Sequence, residues 1–92
     1  MKLAWSDRAL AQLEHAVNTI AAENPAAAWR LFDRIEEAAE RLLDFPKLGK
    51  EGREPDTREW VITDTGYTVV YRIVGDLIQV AAVWNWSQSR KR

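Results

Sequence analysis

The sequence predicts an α+β fold in the order β-α-α-β-β-β, with a helical hairpin packed on one face of an antiparallel sheet. Three observations predict it. Apolar residues recur at steps of three and four through the first half of the chain, and the period then changes to two. Between the two regimes lies "FPKLGKEGREPDT", residues 45–57, whose prolines, glycines and charges read as a loop.

"KLAW" is a short strand candidate. Ser6 then offers an N-cap, with Asp7 in the first turn where a negative charge suits the helix dipole. Leu10, Leu13, Val17 and Ile20 form one apolar stripe of a helix that runs to about residue 22. A second helix starts at Asn24 as N-cap, with Pro25 in the first helical position, where its missing N–H costs nothing. Ala28, Leu31, Phe32, Ile35, Ala38, Ala39 and Leu42 carry that helix to about Asp44, supported by Glu37 and Arg41 at i,i+4. So short a connection lays the helices antiparallel, side by side.

Beyond the loop, Trp60 and Ile62 alternate with Glu59 and Val61. Tyr67, Val69, Tyr71 and Ile73 alternate with Thr68, Val70 and Arg72, and Leu77 to Trp84 is nearly continuously apolar. "TDTG" and "GD" are hairpin-turn chemistry, so these three strands form a meander. The helices cover one face of the sheet, and the other is expected to be partly open.

At 92 residues the chain is expected to form one domain spanning 1–92, burying roughly 60% of its unfolded surface. No cysteine is present, which excludes disulfides, zinc-thiolate sites and thiol catalysis and makes a reducing cytoplasm the simplest location. No apolar run suggests a signal peptide or a membrane span. The net charge is −1, split as −3 over residues 1–45 and +2 over residues 46–92, too mild for nucleic-acid binding by charge alone. His15, the sole histidine, lies off the apolar stripe on the exposed side of the first helix and reads as a surface residue. No Ser-His-Asp set, phosphate-cradling loop or metal-ligand spacing is found, so neither cofactor nor metal is expected. Gly49 and Gly52 read as turn residues.

Near the C-terminus, Trp84 and Trp86 fall on the same side of a strand, followed by Arg90, Lys91 and Arg92. Tryptophans so placed cap a core or form a contact hot spot, and the basic run is a solvated tail or a grip on phosphates. Arg58 and Arg72 are expected to project from the sheet, where pairing with Glu59 or Asp76 competes with partner binding.

The string "FPKLGKEGREPDTREW", followed by "GYTVVYRIVGD", resembles the toxins of the RelE/ParE superfamily of type II toxin-antitoxin systems. Pro46, Leu48, Gly49, Gly52, Arg53, Arg58, Glu59, Tyr67, Tyr71 and Arg72 carry the match, which favours the ParE-like branch. The resemblance implies the RelE/ParE toxin fold and a protein that traps DNA gyrase, with its bound DNA, in the cleaved state. It also implies neutralisation by a cognate antitoxin in a hetero-oligomeric complex. Target-binding candidates are Arg58, Arg72, Trp84, Asn85, Trp86, Arg90, Lys91 and Arg92; antitoxin-binding candidates are Leu10, Leu13, Val17, Trp29 and Phe32. Aligned on the tyrosine strands, the cationic positions of the superfamily's mRNA-cutting branch fall at Glu59, Val61, Thr68 and about Gln88, none of them cationic. No catalytic residue is therefore assigned. The rivals are a ribosome-dependent mRNA endonuclease and an inactive module that only binds antitoxin.

Overall fold

The structure, a computed structural model, describes residues 1–63 and 65–85. The elements are β1 (Lys2–Trp5), α1 (Asp7–Ala21), α2 (Pro25–Asp44), β2 (Lys50–Glu51), β3 (Arg58–Ile62), β4 (Tyr67–Val74) and β5 (Leu77–Asn85). Both helices start where the capping residues place them. Ser6 Oγ accepts the Ala9 N–H at 3.0 Å and Asn24 Oδ1 accepts the Ala27 N–H at 3.1 Å, answering donors that a helix start leaves unpaired.

The strands form one sheet in the order β1-β5-β4-β3-β2. It departs from a purely antiparallel sheet, because β1 pairs with β5 in parallel, Leu3 opposite Ile78 and Trp5 opposite Val80. A period-two pattern says which residues share a face but not which way a neighbour runs, and the direction here is set by the path through the helices. A second departure is β2, two exposed residues inside the predicted loop, paired with Arg58 and Glu59. The β3-β4-β5 meander is as predicted, and Gly75 takes the positive φ (59°) that the two-residue turn requires. A bulge sits between Val70 and Tyr71, which face Ala82 and Val80 and leave Ala81 unpaired on β5.

The helices pack on the face that carries Ile62, Val69, Tyr71, Ile78, Val80 and Val83, against Ala9, Leu13, Ala16, Leu31, Ile35, Ala39 and Leu42. The buried stripe of α1 runs through two alanines, which let the helix approach the sheet closely. Leu10, predicted to lie on that stripe, is rotated out and 46% exposed.

The opposite face is less open than expected. Cross-strand pairing puts Glu59, Thr68, Val70, Ala82 and Trp84 on it, and the first four are buried. The segment after β2 lies over this face. Gly52 N–H donates to Thr57 O at 2.8 Å, turning the chain back, and Arg53 reaches across from β3 to β5.

What holds that segment in place is Tyr71, a fully buried residue in the middle of the sheet. Its hydroxyl donates to Pro46 O at 2.6 Å and accepts the Gly49 N–H at 2.9 Å. A Cβ on Gly49 would stand 2.8 Å from the Tyr71 ring and 3.0 Å from the Glu59 backbone, so glycine is required there for space. Burial pushes the Tyr71 pKa above its ordinary 10.0, against smaller lowering effects of the Gly49 hydrogen bond and the Arg58 charge. The proton is therefore held more tightly in the folded chain than in the unfolded one. Stability from this group is complete below pH 10 and falls as pH rises from about 10 towards the folded value.

Two outcomes follow from this staple. Tyr71→Phe leaves a carbonyl and an N–H without their partner and should lower unfolding free energy at pH 7 by about 1–3 kcal/mol in urea denaturation. Its stability should also lose less than that of the parent chain between pH 9 and 11, because the titrating phenol is gone.

Candidate partner-binding cleft

β1 ends opposite Val80, so the outer edge of β5 beyond it has no neighbouring strand. Helix α1 supplies substitutes. Ser6 N–H donates to Val80 O at 2.9 Å, Ser6 Oγ donates to Ala81 O at 3.1 Å, and Val83 N–H donates to Gln12 Oε1 at 2.7 Å. Polar side chains at these positions answer backbone groups that would otherwise invite another strand.

Along this edge runs a cleft of about 560 Å³. Ala11, Gln12, His15 and Ala16 of α1 form one wall, Val83, Trp84 and Asn85 of β5 the floor, with Tyr67 and Arg53 closing the other side. The Arg53 guanidinium lies 4.8 Å from the Trp84 ring centroid, within cation–π range. Glu59 fixes it there. One carboxylate oxygen accepts the Arg53 backbone N–H at 3.1 Å and lies 3.5 Å from Arg53 Nε. The Glu59 side chain is only 9% exposed and that of Arg53 61%, so the acid is withdrawn under the loop while the guanidinium faces solvent.

The structure divides the predicted target-binding residues. Trp84 and Asn85 line the cleft, whereas Trp86, Arg90, Lys91 and Arg92 lie outside the described residues. Arg58 and Arg72 sit in a different groove, with Glu51, Asp56 and Thr57. There Arg58 Nη1 donates to Gly49 O at 2.7 Å and Arg72 Nη1 to Gln79 Oε1 at 3.4 Å. The acids expected to pair with them are engaged elsewhere, Glu59 with Arg53 and Asp76 with the N-terminal amine at 3.4 Å. Gln12, Arg53 and Tyr67 were not among the predicted site residues, and His15, exposed as predicted, was read as bystander surface. Nothing in spacing joins residues 12, 15, 53 and 67, because the sheet brings them together.

Of the predicted antitoxin-binding residues, Leu13 is buried. It is 6% exposed and belongs to the core, because the alanine stripe turns it inwards. Val17 and Phe32 are partly buried against the core, and Leu10 and Trp29 are exposed, Trp29 at 67%. Trp29 meets Phe32 edge-to-face at 6.1 Å between centroids, so the outer face of the hairpin carries an aromatic pair.

Among the described residues there is no group of three or more His, Cys, Asp or Glu that could hold a metal, and no helix long and apolar enough to cross a membrane.

Two helices packed on a five-stranded mixed sheet in this order match a toxin fold known from toxin-antitoxin systems. A chain of the chromosomal ParDE system from P. aeruginosa superposes with a TM-score of 0.81, covering 90% of this chain and 92% of that one at 21% identity. The E. coli RelBE toxin-antitoxin complex contains a chain that matches at a TM-score of 0.55, over 88% and 90% of the two chains at 20% identity. In sequence, the "Putative toxin Y4kP" of Sinorhizobium fredii is 37% identical over 76 residues, 83% of this chain and 79% of that protein. The family described as ParE toxin of type II toxin-antitoxin system, parDE, matches residues 3–90, and the chain belongs to it.

Replacing Arg53 by Met should cost about 1 kcal/mol in unfolding free energy, since the pair is partly solvated. It should also shift the Trp84 indole resonance in a ¹H–¹⁵N spectrum. An unmoved Trp84 signal would show that the stack does not persist in solution.

Proposed function

We propose that this ParE-family toxin acts by adhesion rather than catalysis, trapping DNA gyrase on cleaved DNA, and that a cognate antitoxin neutralises it. The observation that carries the reading is the condition of the sheet face on which RNA cutting would need cations. Glu59 and Thr68 are buried there, and Val61 is apolar. Arg53, which crosses the face from the loop, is held by Glu59 and stacked on Trp84. A scissile phosphate would meet a face whose strand positions 59, 61 and 68 supply no cation to stabilise its transition state.

The contact surface in this reading is the end of β5, where Trp84 and Asn85 join Arg53; arginine and tryptophan are the residue types that dominate binding energy at interfaces. The antitoxin's place is the outer face of the helical hairpin, where Leu10 and Trp29 present apolar surface beside Phe32 and Val17. A small domain gains stability from a partner that covers such surface. A rival reading, message cleavage on the ribosome, draws on the presence of His15, Tyr67 and Arg53 around one cleft.

The deciding assay offers the purified chain gyrase with supercoiled DNA in one tube and ribosome-bound message in another. Accumulation of cleaved DNA with intact message is the expected result; cut message with untouched DNA would replace this reading with its rival. Trp84→Ala should reduce cleaved-DNA accumulation by about tenfold or more, as loss of an aromatic anchor does at an interface.

The hairpin surface gives a separate outcome. Trp29→Ala should weaken antitoxin binding about tenfold in titration calorimetry while the unfolding midpoint stays put. Leu13→Ala should instead lower unfolding free energy by about 2–5 kcal/mol through the cavity it leaves.

A further inference from the structure

Charge is not spread evenly over the concave surfaces of this protein. The groove between α2 and β3 carries Glu37, Glu40 and Asp44 beside Arg34 and Arg41, that holding Arg58 and Arg72 carries Glu51 and Asp56, and that near the helical turn carries Asp33 and Glu37 beside Arg30 and Arg34. The cleft along β5 differs. Among the described residues that line it none is acidic, in a chain with 14 aspartates and glutamates. Its polar lining consists of Arg53, His15, Gln12, Tyr67 and Asn85, every one able to donate a hydrogen bond. The remaining wall is apolar, formed by Ala11, Ala16, Val83 and the Trp84 indole.

From this we infer that the β5 cleft is a docking site for an acidic, amphipathic peptide segment of a protein partner, with a carboxylate on Arg53 and a neighbouring apolar side chain against the Ala11–Ala16–Val83 wall. Charge complementarity selects the ligand. The Arg53 side chain is 61% exposed, and Glu59 contacts it through Nε, the inner nitrogen, which leaves the terminal nitrogens to donate to a bidentate carboxylate. The Trp84 ring beneath and Glu59 behind fix the guanidinium before the ligand arrives, which lowers the ordering cost of binding. Recognition runs through side chains rather than strand addition, because Ser6 and Gln12 already hold Ala81 O and Val83 N–H. A protein segment is favoured over nucleic acid because the apolar wall takes an apolar side chain and has no use for a phosphate backbone. The inference rests on the reading of this chain as a toxin that works by binding, and it names the chemistry of the partner segment at that same cleft.

The test uses two synthetic 12-residue peptides with identical Leu and Phe positions, one with Glu and one with Lys at the alternate positions, and a 12-nucleotide single-stranded DNA. Each is titrated into the full ¹⁵N-labelled chain. The expected result is saturable binding of the Glu peptide alone, with shifts centred on the Trp84 indole and the Gln12 and Asn85 amides. Arg53→Gln should weaken it about tenfold and Arg53→Lys less, as loss of a charged, bidentate contact requires. Trp84→Leu, which keeps the Arg53–Glu59 pair, should weaken it as well and serves if Arg53→Gln fails to fold. Absence of Glu-peptide binding, equal binding of the Lys peptide, stronger binding of the DNA, or unchanged affinity in the folded variants would each overturn the inference. Gyrase poisoning is scored separately on the same preparations. Cleaved DNA with no peptide in the cleft removes this inference and leaves the toxin reading standing, whereas Arg53-dependent peptide binding without cleaved DNA does the reverse.

Discussion

One phenol hydroxyl fixes the exit of the chain from α2. Tyr71 is fully buried at the centre of the sheet, and its hydroxyl is paired to Pro46 O and Gly49 N–H. A buried hydroxyl without partners is costly, and so are the buried loop atoms it answers, so the exit from α2 has one favourable path. Arg58 adds a bond to Gly49 O on that path. From there Lys50 and Glu51 can pair with β3, Gly52 can turn back onto Thr57, and Arg53 is delivered over the sheet face that the helices do not cover.

The delivery of Arg53 shapes the candidate site. It brings a cation to a face whose own strand positions carry Glu59, Val61 and Thr68, and it spends that cation on Glu59 and Trp84. The result is an anchored guanidinium beside an indole. The end of β1 at Val80 contributes as much, since it exposes the β5 edge that α1 then covers with Ser6 and Gln12. A cleft lined by hydrogen-bond donors is what those two facts leave behind. The fold is shared with the P. aeruginosa ParDE chain over nine-tenths of the protein.

Legibility differed between frame and lining for a physical reason. Ser6, Asn24 and Pro25 marked both helix starts because capping is a local interaction, complete within three or four residues. Gly75 marked the tight turn because the backbone there needs a positive φ. The parallel pairing of β1 and the two-residue β2 left no such local mark, since each depends on a strand distant in the chain. Leu10 and Leu13 sit on one helical stripe in the sequence, yet only Leu13 is core, because the rotation of α1 is decided by how closely Ala9 and Ala16 let it approach the sheet.

The amino-acid sequence by itself determined the order of the two helices and the four longer strands, both helix starts, the two-layer arrangement, and membership of a family recognisable in the 45–75 segment. Those properties rest on interactions between residues a few positions apart and on the period of apolar side chains. Only the tertiary structure decided that Arg53 crosses to Trp84, that Arg58 and Arg72 lie in a separate groove, and that Gln12, His15 and Tyr67 surround one cleft. Each of these depends on strand neighbours and on a loop path fixed by a buried hydrogen bond, and neither is written in the spacing of residues along the chain.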